Sequence, residues 1–330
     1  MQKILFIGGT GVISSGCAPA AVAAGFDLTL LNRGQSSARP AAEGAEVLIA
    51  NYYDDDELNE TLKGHQFDVV VNWIAYTPDQ VQRDIELFSG KIGQYIFISS
   101  ASAYHKPILS LPITESTPLD NPFWDYSRNK AACERVLQDA YRQQRFPATI
   151  VRPSHTYDRT LSPLRGGFTA IQRMIQGKPI IIHGDGTSLW VFTHHRDFAT
   201  GFTGLLGNPR ALGEAYHITS DDVLTWNQIA ELLADAAGVQ PNIVHVPSEV
   251  INRYDPEWGA GLLGDKAHSV IFDNSKIKRM VPGFRAEIPF QQGAREIVDW
   301  YLADEARQQA AFSPEHDAMI DRILADYTKD

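Results

Sequence analysis

Tyr126 and Lys130 stand four residues apart in the stretch WDYSRNKAACERVL, Trp124–Leu137. On a helix that spacing puts both side chains on one face. A tyrosine hydroxyl has a reference pKa near ~10 and is a poor base at neutral pH by itself. A cation ~4 Å away, at an effective dielectric of ~20, contributes about 4 kcal/mol, or roughly 3 pKa units, toward the phenolate. Lys130 is therefore expected to bring Tyr126 into the range where it takes a proton from an alcohol. Ser100, in SSASAY after an apolar run, would hydrogen-bond the same oxygen and steady it. The predicted catalytic set is Ser100, Tyr126 and Lys130. With 12 tyrosines and a similar number of lysines in 330 residues, chance alone gives a Tyr-x-x-x-Lys roughly 0.4 times. The pair takes its meaning from its surroundings.

If hydride leaves the same alcohol as its proton is taken, an acceptor is needed, and the N-terminal stretch FIGGTGVISSG supplies the means to hold one. Gly8, Gly9 and Gly11 lie between a strand-like run and a helix-like one. Glycines there let the backbone turn tightly and approach a pyrophosphate, whose charge then sits at the helix N-terminus. Ser14 occupies the place of a third glycine, and its hydroxymethyl group is expected to alter the seating of the helix. The second strand ends in LLNRGQSS, so Asn32 and Arg33 stand where a carboxylate would bind a ribose 2'-hydroxyl. The missing acid and the present cation favour NADP over NAD. Asn51, in ANYYDD, either meets the adenine edge or serves its own turn.

The elements that must position these groups follow from periodicity. KILFI (3–7), DLTLL (27–31), AEVLIA (45–50), FDVVVNWI (67–74), QYIFIS (94–99) and ATIVR (148–152) are short, branched and apolar on both faces, as buried parallel strands are. Amphipathic segments such as 78–90 and 129–144 lie between them. The fold class is α/β, a Rossmann-type doubly wound parallel sheet with a smaller, interleaved C-terminal substrate-binding domain. Residues 1–160, with returns near 195–222, are assigned to the nucleotide-binding domain, and 161–330 mainly to substrate binding and C-terminal helices. Residues 224–238 read as a helix, and 314–327 as a tail helix that packs on the body or on a partner.

Composition narrows the function further. A formal charge of -11 and the lack of any dense Lys/Arg run repel polyphosphate backbones, which argues against a nucleic-acid partner. Cys17 and Cys133 are too few and too far apart for a disulfide framework, and both are expected to be buried. The N-terminus shows no signal-peptide pattern and no apolar run reaches membrane-spanning length, so a cytoplasmic protein without a membrane partner is expected.

Taken in order, GGTGVIS, SSASAY, YSRNK, VRPSHTY and GDG...HHRDFA resemble the extended short-chain dehydrogenase/reductase superfamily, its NAD-dependent epimerase/dehydratase group, over roughly residues 1 to 305. The NRG turn is similar to that of atypical members, including those like the chloroplast stem-loop RNA-binding proteins. The resemblance implies that Ser100, Tyr126 and Lys130 are the catalytic triad. It places Gly8, Thr10, Gly11, Val12, Ile13, Asn72, Ile74, Ala75, Tyr126, Lys130, Pro153 and His155 at the cofactor, beside Asn32, Arg33 and Asn51.

Two positions depart from the group's nucleotide-sugar pattern. His155 replaces the Asn of RPxN, and Trp190 stands where an Arg would grip a diphosphate. Losing that charge-assisted contact costs on the order of 1.5 to 3 kcal/mol, which disfavours nucleotide-diphosphate sugars. The expected substrate residues are Tyr76, Ala101, Ser102, His155, Tyr157, Arg159 and Trp190, with His194 and His195 nearby. The plainer alternative makes Trp190 and Phe192 core residues and the two histidines ordinary backbone positions. No third ligand is spaced to complete a metal site with them. Asp197 is expected to cap or anchor the next helix. Ala101 and Ser102 stand where a dehydratase would carry an acid.

The expected activity is an NAD(P)-dependent oxidoreductase or epimerase acting on a secondary hydroxyl of a carbohydrate. A nucleotide-sugar 4-epimerase or reductase, and a non-catalytic NAD(P)-sensing or RNA-binding protein, are the alternatives. A homodimer is expected by the same resemblance, paired through the YSRNK helix with Ala131, Ala132, Leu137 and Tyr141 partly in the interface.

Overall fold

The structure is a computed structural model that describes residues 1–36 and 38–327. Ser37, the last residue of LLNRGQSS, and the end of the 161–330 segment lie outside the described residues. Strands β1 (Lys3–Ile7), β2 (Asp27–Asn32), β3 (Glu46–Ile49), β4 (Val69–Asn72), β5 (Gln94–Ile98) and β6 (Ala148–Pro153) form the first part. There follow β7 (His155–Tyr157), β8 (Pro179–His183), β9 (Leu189–Trp190), β10 (Phe192–His194), β11 (Ala215–Ile218), β12 (Leu224–Thr225) and β13 (Asn242–Val246). The helices are α1 (Ser14–Ala23), α2 (Asp55–Leu62), α3 (Pro78–Phe88), α4 (Asp125–Gln144), α5 (Phe168–Ile175), α6 (His195–Thr203) and α7 (Trp226–Ala236). After them come α8 (Ser248–Tyr254), α9 (Pro256–Gly261), α10 (Ser275–Met280), α11 (Phe290–Leu302), α12 (Glu305–Ala311) and α13 (Pro314–Tyr327).

Seven strands make one parallel sheet in the order β11-β6-β5-β4-β1-β2-β3. The order reverses between β1 and β4, where the chain leaves a crevice at the strands' C-terminal ends. Alternation along each strand feeds two cores. Ile4 and Phe6 of β1 pack with Cys17 and Ala21 of α1 and with Phe198 and Phe202 of α6. Leu5 and Ile7 pack on the other face with Val81 and Ile85 of α3 and Cys133 and Leu137 of α4. Both cysteines are buried. A third core, built around Trp190, Phe192, Trp226 and Phe290, belongs to the part beyond the sheet. The tail helix α13 buries Ile320 and Ile323 against Trp258 and Leu262 of the same chain. Among the described residues no helix is long and apolar enough to cross a membrane.

Several local expectations need correction. Ser14 is taken up by the glycine turn: its Oγ donates to the Gly8 carbonyl at 2.9 Å and accepts from the Gly11 amide at 2.8 Å, pinning that turn. The close helix contact falls two residues later, where a Cβ on Gly16 would lie 2.6 Å from the His195 carbonyl of α6. Asp197 anchors α6 by accepting from the Ile288 amide at 2.9 Å, whereas the cap is His194, which accepts from Arg196 N. Ala131 and Leu137 of α4 face the interior, so they are not available to an interface, whereas Tyr141 is exposed.

Beneath the crevice lies a buried polar knot. The Asp84 carboxylate of α3 accepts from Tyr95 Oη at 2.6 Å, from Asn72 Nδ2 at 2.6 Å and from Tyr52 Oη at 3.1 Å. Burial raises its pKa to about 6, against the pull of Tyr95, Arg83, Asn72 and Tyr52. With its hands so held, Asn72 turns its Oδ1 to the Ile74 and Ala75 amides at 2.9 and 2.7 Å. The turn after β4 is thereby fixed.

Two outcomes are expected. Replacing Gly16 by alanine gains helix propensity of roughly 1 kcal/mol but forces two backbones apart, and overpacking of that kind costs about 1 to 3 kcal/mol. Urea unfolding should show Gly16→Ala less stable than Gly283→Ala, whose added Cβ meets nothing within 4 Å; equal stability would contradict the contact. Because the native pKa of Asp84 is raised from 3.8 to about 6, the native state binds its proton more tightly and this contribution is lost as pH rises through that window. Measured across it, the stability of the wild type relative to Asp84→Asn should fall with rising pH; a flat difference would refute the assignment.

Candidate functional site

Two cavities open at the C-terminal ends of the strands. The first, of about 410 Å³, is lined by Gly8, Thr10, Gly11, Leu31, Asn32, Arg33, Gln35, Ser36, Ala50, Asn51, Tyr52, Tyr53 and Ile74. Gly8 turns there with φ +90°, and a Cβ on it would lie 2.5 Å from Ile74 Cγ2, so the tight turn and the close approach both require glycine. Asn32 accepts from the Gly34 amide at 2.8 Å and Asn51 from the Tyr53 amide at 3.2 Å, each shaping its own turn while lining the groove. Val12 and Ile13 do not line this groove. Ile13 packs toward the α1 core. Asn72 offers the groove no side chain, because Asp84 and two backbone amides occupy it.

The second cavity, of about 240 Å³, is lined by Ser100, Ala101, Ser102, Trp124, Tyr126, Pro153, Ser154, His155, Trp190, Val191, Asp265, Lys266, Val270 and Phe272. Tyr126 comes from the first turn of α4, and Ser100 from the end of β5. Tyr76 stacks on Tyr126 at 5.6 Å, and Trp124 lies 5.0 Å from it. Burial pushes the Tyr126 phenol up to about 12; the Ser100 hydroxyl draws it down, and Tyr76 and Asp265 oppose that. Ser127, fully buried, donates to Ser102 Oγ at 2.9 Å, and Ser102 Oγ lies 2.9 Å from Ser100 Oγ. Ser127 thus occupies one lone pair of Ser102 Oγ, and the Ser102 and Ser100 hydroxyls share a proton between them in a bond either can donate.

Lys130 departs from the simple expectation of a cation beside the phenolate. Its Nζ donates to the Ala75 and Ile98 carbonyls, each at 2.8 Å, and lies 4.8 Å from the Phe97 ring and 5.9 Å from that of Tyr126. Burial lowers its pKa to about 8. The reason the phenol stays high is thus physical: desolvation outweighs any help from an ammonium already engaged by two carbonyls. One turn further along α4, Glu134 pairs with Arg152 of β6 at 2.6 Å and accepts from Ser99 Oγ at 2.6 Å. The helix is therefore locked to both β5 and β6.

Among the other predicted residues, Ala101, Ser102, His155 and Trp190 gather at the second cavity, and Pro153 joins them rather than the first groove. Trp190 Nε1 donates to His155 Nδ1 at 3.3 Å. Burial, aided by Lys266, drives His155 down to about 3 and keeps it neutral. Tyr157 does not reach the cavity. Phe192 packs 4.5 Å from His155 and 6.0 Å from Tyr157, and the Tyr157 hydroxyl faces Gly293 of α11, where a Cβ would lie 2.0 Å from it. Arg159 is exposed in the turn after β7 and lines neither cavity. His194 pairs with Glu296 at 3.1 Å, and His195 Nδ1 sits 3.2 Å from Ser15 Oγ of α1, both remote from the cavity lining.

Asp265 and Lys266 were not anticipated. They ride on a π-helical turn over Leu262–Lys266, a local distortion common at functional sites. Asn121 clamps this turn to the opposite wall by donating to the Gly264 carbonyl at 2.6 Å and the Ser102 carbonyl at 2.8 Å. Gly264 admits Trp124: a Cβ there would lie 2.8 Å from Trp124 Cβ. Nothing in LLGDK marks it as a pocket wall, since no periodicity or motif attaches it to Tyr126.

Comparison with known proteins bears on the family and the fold. The chain is 28% identical over 337 residues to the chloroplast stem-loop binding protein of 41 kDa b of Arabidopsis thaliana, covering 98% of this chain and 84% of that one. It is 24% identical over 334 residues to the 2'-dehydrokanamycin reductase of Streptomyces kanamyceticus, covering 98% and 91%. The fold matches that of an epimerase from Methanothermobacter thermautotrophicus with a TM-score of 0.76 at 17% identity, over 93% of this chain and 94% of the other. The profile of the NAD dependent epimerase/dehydratase family matches residues 4–219, which, with the sheet and the glycine turn, establishes that the chain belongs to that family.

Proposed function

We propose that the protein is an NAD(P)-dependent oxidoreductase or epimerase acting on a secondary hydroxyl of a carbohydrate or sugar derivative, with Tyr126 as general acid/base. The observation that carries this reading is the meeting of the Ser100 hydroxyl and the Tyr126 phenol at the wall of the second cavity, with Lys130 fixed behind them. The first groove fits a nucleotide cofactor. Its glycine turn leaves room for a phosphate to approach the start of α1, and its lining offers Arg33 and, among the described residues, no carboxylate. That charge pattern suits a ribose 2'-phosphate, which favours NADP. When bound, the nicotinamide supplies or accepts the hydride.

The remaining chemistry falls to the chain's own groups. Ser100 donates to the substrate oxygen, its Oγ held in place by Ser102 and, behind it, Ser127. Tyr126, at about 12 in the free protein, is poised as an acid that gives its proton to a carbonyl oxygen. To act as a base on an alcohol the phenol must be lowered, and Lys130 is the protein's cation for that work. Its two carbonyl bonds leave one N–H uncommitted. The walls formed by Trp124 and Trp190 suit the apolar face of a sugar ring. A nucleotide-diphosphate sugar is disfavoured, since Trp190 stands where its charge would need an arginine. The name of the Arabidopsis relative raises an RNA-binding alternative, but a chain of net charge -11 would repel a phosphate backbone.

Tyr126→Phe should reduce turnover by roughly 10² to 10⁴-fold, followed by nicotinamide absorbance over a panel of sugars, with cofactor affinity unchanged. Normal turnover in that variant would overturn the mechanism. Arg33→Ala should weaken NADPH about tenfold and spare NADH. Equal losses for the two cofactors would remove Arg33 from cofactor choice. Mass spectrometry of the purified protein separates the two reaction types: retained NAD marks an epimerase that recycles its cofactor, and a site that takes up NADPH marks a reductase.

A further inference from the structure

Lys266 is the unused charge of the second cavity. Its Nζ lies 5.3 Å from the Trp124 ring centre and 5.8 Å from that of Trp190. Among the described residues it has neither a hydrogen-bond acceptor nor a carboxylate within ion-pair distance. Its neighbour Asp265 is taken by Lys106, whose Nζ lies 3.1 Å from Asp265 Oδ1 with its side chain fully buried. This is not a mobile surface lysine. The Lys266 carbonyl accepts from His183 Nε2 at 3.0 Å and from Ser188 Oγ at 3.1 Å, and the turn is clamped at Gly264 by Asn121.

Asp265 and Lys266 both line the cavity, and the fully buried Lys106 stands behind the wall as the partner of Asp265. Lys106 and Asp265 cancel, His155 is neutral and Tyr126 is protonated, so Lys266 leaves one uncompensated positive charge. A partly buried ammonium without a counter-ion is costly to keep, and an anion from outside would relieve that cost. Burial, Lys106 and Arg165 all press Lys266 toward its neutral form, and Asp265 alone resists. Two indole faces hold the cation meanwhile, a contact worth about 0.5 to 2 kcal/mol. Size narrows the ligand. At about 240 Å³ the enclosed part of the cavity is of a size for a small ligand such as one sugar ring.

We propose that Lys266, held between Trp124 and Trp190, determines specificity by binding a single anionic substituent, a carboxylate or a phosphate monoester, on a substrate the size of one sugar ring. The inference rests on the reading that this cavity takes the sugar. It supplies from the π-helical turn the positive charge that Trp190 removed from the sheet side, but one charge in place of a grip on a diphosphate.

The test is calorimetric titration of the full chain with D-glucuronate, D-glucose 6-phosphate, D-glucose and UDP-glucose. At least one of the two anionic hexoses should bind about tenfold more tightly than glucose, and more tightly than UDP-glucose. Which of the two wins identifies the anion. Lys266→Met should abolish that preference, and Lys266→Arg should retain it. The proposal is overturned if the anionic hexoses bind no better than glucose, if UDP-glucose binds most tightly, or if Lys266→Met keeps the preference. Should Lys266→Met fail to fold, the wild-type order and Lys266→Arg still decide. Binding is read without turnover, so an anionic preference in a protein that turns nothing over would fail the proposed reaction alone. Turnover of neutral sugars with no anionic preference would fail this inference alone.

Discussion

Lys130 carries an ammonium group out of water and gives it two carbonyl oxygens, those of Ala75 and Ile98, each at 2.8 Å. The arrangement ties α4 to the ends of β4 and β5, on one side of the β1/β4 gap where the sheet order reverses. Neither carbonyl is free to move. Ala75 belongs to the turn that Asn72 holds, and Asn72 is oriented by Asp84, which Tyr52 and Tyr95 fix in turn. A charged donor bonded to a carbonyl is worth about 1.5 to 3 kcal/mol, and removing it would leave two buried acceptors unsatisfied. The crevice therefore depends on this cation for its shape before any chemistry begins.

That dependence joins the two cavities. The β4 turn that Lys130 grips presents Ile74 to the nucleotide groove, and the helix that carries Lys130 presents Tyr126 to the second cavity. On the far wall, Asn121 performs the matching task by bridging the Ser102 and Gly264 carbonyls, so that the serine chain and the π-helical turn keep a set distance. A ligand in one cavity thus faces walls that are braced through the other.

Much of this was legible in the sequence, and the limits have physical causes. Most sheet strands could be read because strands buried on both faces are runs of branched apolar residues, whereas the edge strand β3, read as buried from AEVLIA, leaves Val47 and Ile49 exposed. Ser100, Tyr126 and Lys130 could be brought together because strand ends and a helical spacing of four fix their direction. Tyr157 and Arg159 were misplaced because sequence shows that β7 follows the crevice but not that Phe192 fills the space beyond His155. Asp265 and Lys266 were missed because a turn more than a hundred residues away reaches the cavity only through the clamp at Asn121. The electrostatics of Tyr126 was also misjudged. A pairwise Coulomb estimate carries no desolvation, and it cannot know that two carbonyls already hold the lysine.

The state of the Tyr126 phenol is the most direct measure of whether Lys130 and the cofactor side act on it together. Carbon-13 labelling of the tyrosine rings, with Tyr126→Phe to assign the signal, allows its titration by NMR with and without saturating oxidised cofactor. The free protein should show Tyr126 near 12, and the complex should show it below the ordinary phenol value of 10.0. A phenol that titrates at the same pH in both states would contradict its role as the base.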